Sequence, residues 1–166
     1  MPLSHVWFSH NFIHAGGNMK AQDIMTKNPT LCVSTTKLDE VARMMVESDC
    51  GEVPVVRSKD KAELLGVITD RDICCRAVAT GKNPGVTAAS EIMSSPAVTV
   101  SPETDISQCY KLFDEREIRR LPVVDHRGHC VGIISLTDVA EKAPEQYARE
   151  LLRHSVGISG TRPAAH

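Results

Sequence analysis

The stretch Gly66-Val67-Ile68-Thr69-Asp70-Arg71-Asp72 decides how this chain of 166 residues folds, because its pattern returns as Gly132-Ile133-Ile134-Ser135-Leu136-Thr137-Asp138. Each copy runs from a glycine through two aliphatic β-branched residues to a hydroxyl residue, with an aspartate three residues further on. A β-branched run predicts a strand. Thr or Ser followed three residues later by an acidic residue is typical of the capping box that begins a helix. The sequence therefore predicts two strand-to-helix junctions of the same kind.

The similarity continues towards the N-terminus of each copy. The opening Ala21-Gln22-Asp23-Ile24-Met25 returns as Ala89-Ser90-Glu91-Ile92-Met93, and a β-rich run follows each opening, at residues 30–34 and 97–101. One-sided helices come next, with apolar residues at the spacing that buries a single stripe. Their predicted buried positions are Leu38, Val41, Ala42 and Met45 in the first copy, and Ile106, Cys109, Tyr110 and Phe113 in the second.

A proline-containing strand precedes each glycine-containing strand. The segments Val53-Pro54-Val55-Val56 and Leu121-Pro122-Val123-Val124 each lead into a polar turn. Proline has no N–H to donate, which favours an edge or strand-start position. The predicted unit is β-α-β-β-α, used twice. Units this small bury little surface alone, so we expect an α/β (α+β) fold in which the two repeats pack with pseudo-twofold symmetry.

The repeat also sets the expected domain boundaries. We predict a first repeat at residues 19–79, a turn-rich linker at 80–88, a second repeat at 89–145, a C-terminal helix at 146–154 and a flexible tail at 155–166. Residues 1–18 hold Trp7, Phe8 and Phe12, half of the six aromatic residues. We expect that segment to be an extension outside the fold, with Met19 as a plausible native start.

Composition and charge exclude several classes of protein. A net charge of −2 and a pI near 6.4 argue against nucleic-acid binding. No apolar run is long enough to cross a membrane, and the N-terminus lacks the pattern of a signal peptide, so we expect a cytoplasmic protein. The six cysteines have no metal-ligand spacing, and in a reducing compartment they are expected to be small buried residues.

The whole pattern resembles the tandem cystathionine-beta-synthase (CBS) domain pair, also called a Bateman module. The resemblance covers residues 21 to about 145 and includes the opening, the proline strand and the glycine-to-aspartate motif, all twice. It implies a free-standing regulatory module, not an enzyme, that binds an adenosine-containing ligand (AMP, ADP, ATP, NAD(H) or S-adenosylmethionine) in clefts between the repeats. It also implies signalling by a conformational or oligomeric change, and a homodimer.

The resemblance assigns roles to the repeated motif. By position, Asp72 and Asp138 take the ribose hydroxyls of the ligand, while Thr69 and Ser135 approach its phosphate. The chemistry is reasonable, because a fixed carboxylate suits a ribose diol and free N–H groups at a helix start suit a phosphate. The alternative is that these residues only cap helices.

Further site residues follow from family position. Candidates for an apolar slot around the base are Cys32, Val53 and Pro54 in the first copy, and Val100, Leu121 and Pro122 in the second, with ordinary core packing as the alternative. Arg119 and Arg120 are the expected phosphate contacts of the second copy. In the first copy Gly51 and Glu52 occupy those places, and Glu52 would repel a phosphate. Arg71 and Arg76 could compensate, so the two clefts should differ.

Other functions remain open at this stage. A nucleotide hydrolase or transferase is disfavoured because the chain has no P-loop, nucleophile elbow or clustered metal carboxylates. An interaction scaffold without a ligand would use the aspartates as caps only. A metal or redox sensor would use His126, His129 and the cysteines, although an exposed turn between strands is the favoured explanation of the histidines.

Overall fold

The computed structural model describes residues 19–147. The predicted extension at residues 1–18, the predicted tail and all but the first two residues of the predicted C-terminal helix lie outside this range. Tyr147, the last described residue, packs against the core of the second repeat, and its ring lies 6.2 Å from that of Tyr110. No helix within the described range is long and apolar enough to cross a membrane.

The first repeat contains all three strands of one sheet and the helices beside it. After α1 (Ala21–Ile24) and β1 (Thr26–Lys27) come β2 (Cys32–Val33), α2 (Leu38–Glu47), β3 (Glu52–Val56) and β4 (Leu64–Thr69). The short α3 (Asp70–Asp72) continues as a π-helix at Ile73–Ala77 and a 3₁₀ turn at Val78–Thr80. In the sheet β2-β3-β4, β2 runs parallel to β3 and β3 antiparallel to β4.

The second repeat is built in the same order. A 3₁₀ turn at Ala89–Glu91 is followed by α4 (Ile106–Arg116), β5 (Arg120–Val124), β6 (Cys130–Ser135) and α5 (Leu136–Lys142). Its sheet has the order β1-β6-β5, and both pairings are antiparallel. The repeated α+β architecture expected from the sequence is therefore present.

Three of the four predicted positions in each helix stripe are buried. Leu38, Val41 and Met45 of α2 lie in the first core, and Ile106, Cys109 and Phe113 of α4 lie in the second. Ala42 and Tyr110, the fourth member of each stripe, are partly exposed at the edges of these helices. Each repeat thus has a largely aliphatic core, with Phe113 as an aromatic member of the second.

The opening segments cross between the repeats, which the sequence did not indicate. Ala21 and Ile24, from the start of the chain, are buried in the core of the second repeat, and β1 pairs with β6. Ala89 and Ile92 are buried in the core of the first repeat. The backbone of Ser94 exchanges two hydrogen bonds with Val67 of β4, at 3.0 and 2.9 Å. Each repeat is therefore completed by the opening of the other.

The motif glycines make this exchange possible. A Cβ built on Gly66 would lie 2.5 Å from the carbonyl oxygen of Ser94. A Cβ on Gly132 would collide with the sulfur of Met25 and lie 3.2 Å from the carbonyl oxygen of Thr26. The glycine of each copy is thus the position where the opening of the other copy approaches the strand most closely.

Two strand predictions are wrong in detail. Pro54 was expected at an edge or strand start, yet β3 is the central strand of its sheet. The position is tolerated because Val67, opposite Pro54, directs its hydrogen bonds to Ser94, and β2 pairs only with Val55 and Val56. The run at residues 97–101 is reduced to a single bridge between Val100 and Val123 instead of a strand.

Candidate functional site

The first copy of the motif forms a complete capping box at the end of β4. Thr69 Oγ1 accepts a hydrogen bond from the backbone N–H of Asp72 at 3.1 Å. The Asp72 carboxylate accepts from the backbone N–H of Thr69 at 2.9 Å and from its hydroxyl at 2.8 Å. Its other oxygen lies 3.3 Å from Arg76 Nε. Arg76 also donates to the carbonyl of Ile92, so it joins the aspartate to the opening segment of the second copy.

The second copy repeats this arrangement at the end of β6. Ser135 Oγ accepts from the N–H of Asp138 at 3.1 Å, and the Asp138 carboxylate accepts from the N–H and hydroxyl of Ser135 at 2.8 and 2.6 Å. Lys142 Nζ lies 2.6 Å from Asp138 Oδ1 and donates to the carbonyl of Ile24. In both repeats a cation one turn after the aspartate thus bridges it to the crossing opening.

The contacts described above hold the two aspartate side chains in fixed orientations. Their side chains are 12% and 14% exposed. Burial raises the pKa of Asp138, but hydrogen bonds from Lys142 and Ser135 outweigh it and keep that pKa below its ordinary value. The arrangement leaves each carboxylate with a small exposed area and a fixed orientation, which is what recognition of a hydroxyl-bearing ligand requires.

The candidates for a base slot lie in or beside the aliphatic cores. Cys32 and Val53 are fully buried in the first core and Leu121 in the second, while Val100 is 6% exposed. Pro54 and Pro122 are also buried. Val100 lines an open cavity of about 770 Å³ between α4 and the turn that contains His126, away from Asp138.

Arg120 lies beside the first repeat, although its sequence position associates it with the second. A Cβ built on Gly51 would be 2.9 Å from Asp70 Oδ2 and 3.3 Å from both terminal guanidinium nitrogens of Arg120. These three residues line a cleft of about 550 Å³ together with Ala42, Met45, Val46, Asp49, Cys50 and Ile73. Below, this cavity is called the first cleft. Pseudo-twofold packing brings the starts of β3 and β5 together, a contact that no single-repeat motif could predict.

Glu52, the neighbour of Gly51, is a buried carboxyl with an unsatisfied oxygen. It is 8% exposed, and Oε1 has no hydrogen-bond partner among the described residues. Burial raises its pKa to about 7; the charge of Arg120 opposes that rise and the charge of Asp72 adds to it. The sequence indicated that an acidic residue here would distinguish the two clefts, but it gave no sign that the side chain is buried.

The remaining arginines are more exposed. Arg71 and Arg119 are both exposed. Arg76 was suggested to compensate the charge of a ligand phosphate. Its guanidinium instead contacts Asp72, the carbonyl of Ile92 and the hydroxyl of Ser94. Arg120 is thus the arginine that lines the first cleft.

The cysteines and histidines are scattered. Cys32, Cys109 and Cys130 are buried as expected, but the expectation is wrong for Cys74 and Cys75, which are exposed on the π-helix because this side of the turn faces solvent. His126 is exposed, and His129 Nδ1 lies 3.4 Å from an oxygen of Asp125. Between residues 19 and 147, no three His, Cys, Asp or Glu side chains are grouped to hold a metal ion.

Comparison with protein families gives a match over most of the chain. The family model of the CBS domain matches residues 21–77 and again residues 89–145. An uncharacterised protein of Methanopyrus kandleri is 36% identical over 128 residues, which cover 77% of this chain and 62% of the archaeal protein, so the match spans less than two thirds of that relative. Hypoxic response protein 1 of Mycobacterium tuberculosis is 32% identical over 126 residues, covering 75% of this chain and 85% of that protein.

Solved structures show the same architecture. The crystal structure of Hypoxic Response Protein I, which has two coordinated zinc ions, matches with a TM-score of 0.69 and 30% identity, over 76% of this chain and 100% of the other. The CBS domain pair of protein MJ0100, solved with 5′-methylthioadenosine and S-adenosyl-L-methionine, matches with a TM-score of 0.68 and 23% identity, over 80% and 98% of the two chains. At that identity the likeness to MJ0100 concerns the fold alone.

Proposed function

The chain belongs to the CBS domain family, and from this premise we propose that it is a regulatory module that binds an adenosine-containing ligand between its two repeats. The candidates are AMP, ADP, ATP, NAD(H) and S-adenosylmethionine. The observation that carries the proposal is the pair of matched junctions, Thr69 with Asp72 and Ser135 with Asp138, in which a fixed and partly exposed carboxylate stands beside a hydroxyl.

The proposed roles follow from the chemistry of these groups. Asp72 and Asp138 would accept hydrogen bonds from ribose hydroxyls, and Thr69 and Ser135 would lie towards the phosphate. Arg120, together with the more exposed Arg71 and Arg119, would supply positive charge for that phosphate. Cys32, Val53 and Pro54, and their counterparts Val100, Leu121 and Pro122, would contribute the apolar side of the base site.

A route for the signal is built into the same contacts. Arg76 and Lys142 each bind a motif aspartate and a carbonyl of the opening that crosses from the other repeat. A ligand that draws Asp72 or Asp138 towards its ribose would change the contact that anchors this opening. The ligand would thereby shift the arrangement of the two repeats, or of two chains in a homodimer.

Calorimetric titration with the five ligands tests the proposal. At least one should bind, and Asp72→Asn or Asp138→Asn should weaken that binding at least tenfold, because the amide cannot replace the charged acceptor. Asp23→Asn is the matched control, since Asp23 also accepts a backbone N–H at a helix start but lies outside the motif. No heat at millimolar concentration of any of the five would contradict the proposal.

The enzyme alternative has a separate assay. We infer that the chain binds nucleotides without converting them, because no three His, Cys, Asp or Glu side chains among the described residues are grouped to hold a metal ion, and the hydroxyls of Thr69 and Ser135 are engaged in capping boxes. Incubation with ATP should release no phosphate above the rate of a boiled sample. Stoichiometric and repeated release would identify a hydrolase instead.

A further inference from the structure

The start of β3 carries an acidic side chain where the start of β5 carries a basic one. Glu52 and Arg120 occupy the same place in their hairpins, since Glu52 pairs with Thr69 and Arg120 pairs with Ser135. The two repeats therefore bring opposite charges to equivalent positions. Glu52 and Arg120 influence one another electrostatically, but no ion pair among the described residues joins Glu52 to a cation.

The surroundings of Glu52 leave its charge poorly compensated. Asp72 on α3 adds negative charge close to Glu52. Two thiols, Cys50 before β3 and Cys130 on β6, also lie within electrostatic reach of Glu52. Arg120 on β5 is the cation that acts on Glu52. Oε1 is buried and has no donor among the described residues, so the ionised form of Glu52 depends on Arg120 for its stabilisation.

Arg120 is also the cation that lines the first cleft. Its guanidinium stands beside Gly51, opposite the carboxylate of Asp70. A phosphate that entered this cleft would form its strongest contact with that guanidinium. The same phosphate would place a second negative charge near Glu52, and it would compete for the charge on which ionised Glu52 depends.

We propose that Glu52 makes the binding of phosphate-bearing ligands in the first cleft proton-linked, so that Glu52 takes up a proton as the ligand phosphate engages Arg120. The inference rests on the proposed function, because it assumes that an adenosine-containing ligand enters this cleft. It makes Glu52 a specificity-determining residue. Ligands without a phosphate bind independently of pH, and phosphate-bearing ligands bind more tightly as pH falls from 8.5 to 6.5.

The protonation state of free Glu52 makes this effect measurable near neutral pH. Burial raises its pKa to about 7, so a large fraction is ionised at pH 7.5. If the bound phosphate raises that pKa by about one further unit, about half a proton enters per ligand at pH 7.5. Affinity for AMP then falls about sixfold between pH 6.5 and pH 8.5.

The test is calorimetric titration of the unmodified chain with AMP and with adenosine, in two buffers of different ionisation enthalpy at pH 7.5. AMP should bind with uptake of about half a proton, and adenosine with none. The phosphate of AMP titrates near pH 6, so Glu52→Gln separates its contribution from that of the protein. This variant should lose the uptake and should bind AMP with equal affinity at pH 7.5 and 8.5.

Glu47→Gln is the matched control, because Glu47 is an exposed glutamate near the same cleft at the end of α2. It should retain the proton uptake. Binding of AMP without uptake, or with uptake that persists in Glu52→Gln, overturns the inference and leaves the proposed function standing. Absence of AMP binding at every pH overturns the inference, whereas the proposed function fails only if none of its five candidate ligands binds.

Discussion

At the scale of single residues, each motif aspartate has a structural role and a proposed ligand-binding role. Asp72 and Asp138 close capping boxes, and each also binds a cation that reaches the crossing opening. Their occurrence in a capping box was predictable from the three-residue spacing. The bridging by Arg76 and Lys142 was not, because their other partners are carbonyls of Ile92 and Ile24, distant in sequence.

The burial of Glu52 predicts an unusual dependence of stability on pH. Its pKa is raised to about 7 in the folded chain, whereas the unfolded chain has the ordinary value near 4.5. Between these values the folded chain binds a proton that the unfolded chain releases, so this contribution to stability is present below pH 4.5 and is lost as pH rises through 7.

Glu52→Gln should therefore remove the loss of folding stability that accompanies ionisation of Glu52. We expect the variant to be more stable than the unmodified chain at pH 8 by about 1 to 3 kcal/mol, and to show no such gain at pH 5. Urea unfolding at the two pH values measures the difference. An equal effect of the substitution at both pH values would mean that Glu52 is not buried as an ionisable carboxyl.

Thiol reactivity reports on the cysteines individually. Burial raises the pKa of Cys32 to about 12 and those of Cys109 and Cys130 to about 11, so their thiolates are scarce at pH 8. Titration of the native chain with a thiol reagent should therefore show a fast reaction of Cys74 and Cys75, which are exposed. A Cys74→Ser, Cys75→Ser double variant should lack the fast phase, and fast modification of Cys32 would contradict the placement of β2.

At the scale of elements, the strand-to-helix junctions followed from sequence more completely than the strand pairing did. The β-branched residues and capping spacing specify β4, β6 and the helices after them by local rules. The pairing of β1 with β6 could not be predicted in the same way, because both openings have the same sequence pattern, which does not indicate the repeat that each one completes. The choice between them depends on packing across the whole chain.

Alanine at the two motif glycines should destabilise the chain to different degrees. Gly66→Ala would press its methyl group against a backbone carbonyl of residue Ser94, whereas Gly132→Ala first meets the flexible side chain of Met25. Overpacking of this kind costs about 1 to 3 kcal/mol, and we expect Gly66→Ala to be the costlier change.

Gly85→Ala is the control for these variants. Its nearest neighbour would be an oxygen of Asn83 at 3.4 Å, an ordinary contact. Thermal or urea unfolding of the three variants compares their free energies of unfolding. If Gly85→Ala costs as much as Gly66→Ala, close approach of the openings does not explain the motif glycines.

At the scale of the whole molecule, the exchange of openings makes the two repeats depend on one another. Ile24 belongs to the first copy in sequence but packs with the second core, and Ile92 does the reverse. Pseudo-twofold packing was predictable because one repeat is too small to be stable alone. Because of this exchange, a change at one motif should alter the packing of the other repeat.

The mirrored variants Ile24→Ala and Ile92→Ala test this exchange. Each removes a buried side chain and should cost about 2 to 5 kcal/mol. Hydrogen exchange measured near neutral pH should show that Ile24→Ala accelerates exchange in β6 more than in β4, and that Ile92→Ala does the opposite. The reverse pattern would assign each opening to its own repeat.

Native mass spectrometry of the chain with AMP tests most directly that the paired motifs bind an adenosine-containing ligand. The unmodified chain should gain the mass of one or two AMP molecules. The Asp72→Asn, Asp138→Asn double variant should lose these adducts, while the Asp23→Asn control keeps them. Adducts that persist unchanged in the double variant would contradict the account, since AMP would then bind without the two carboxylates on which the proposed site depends.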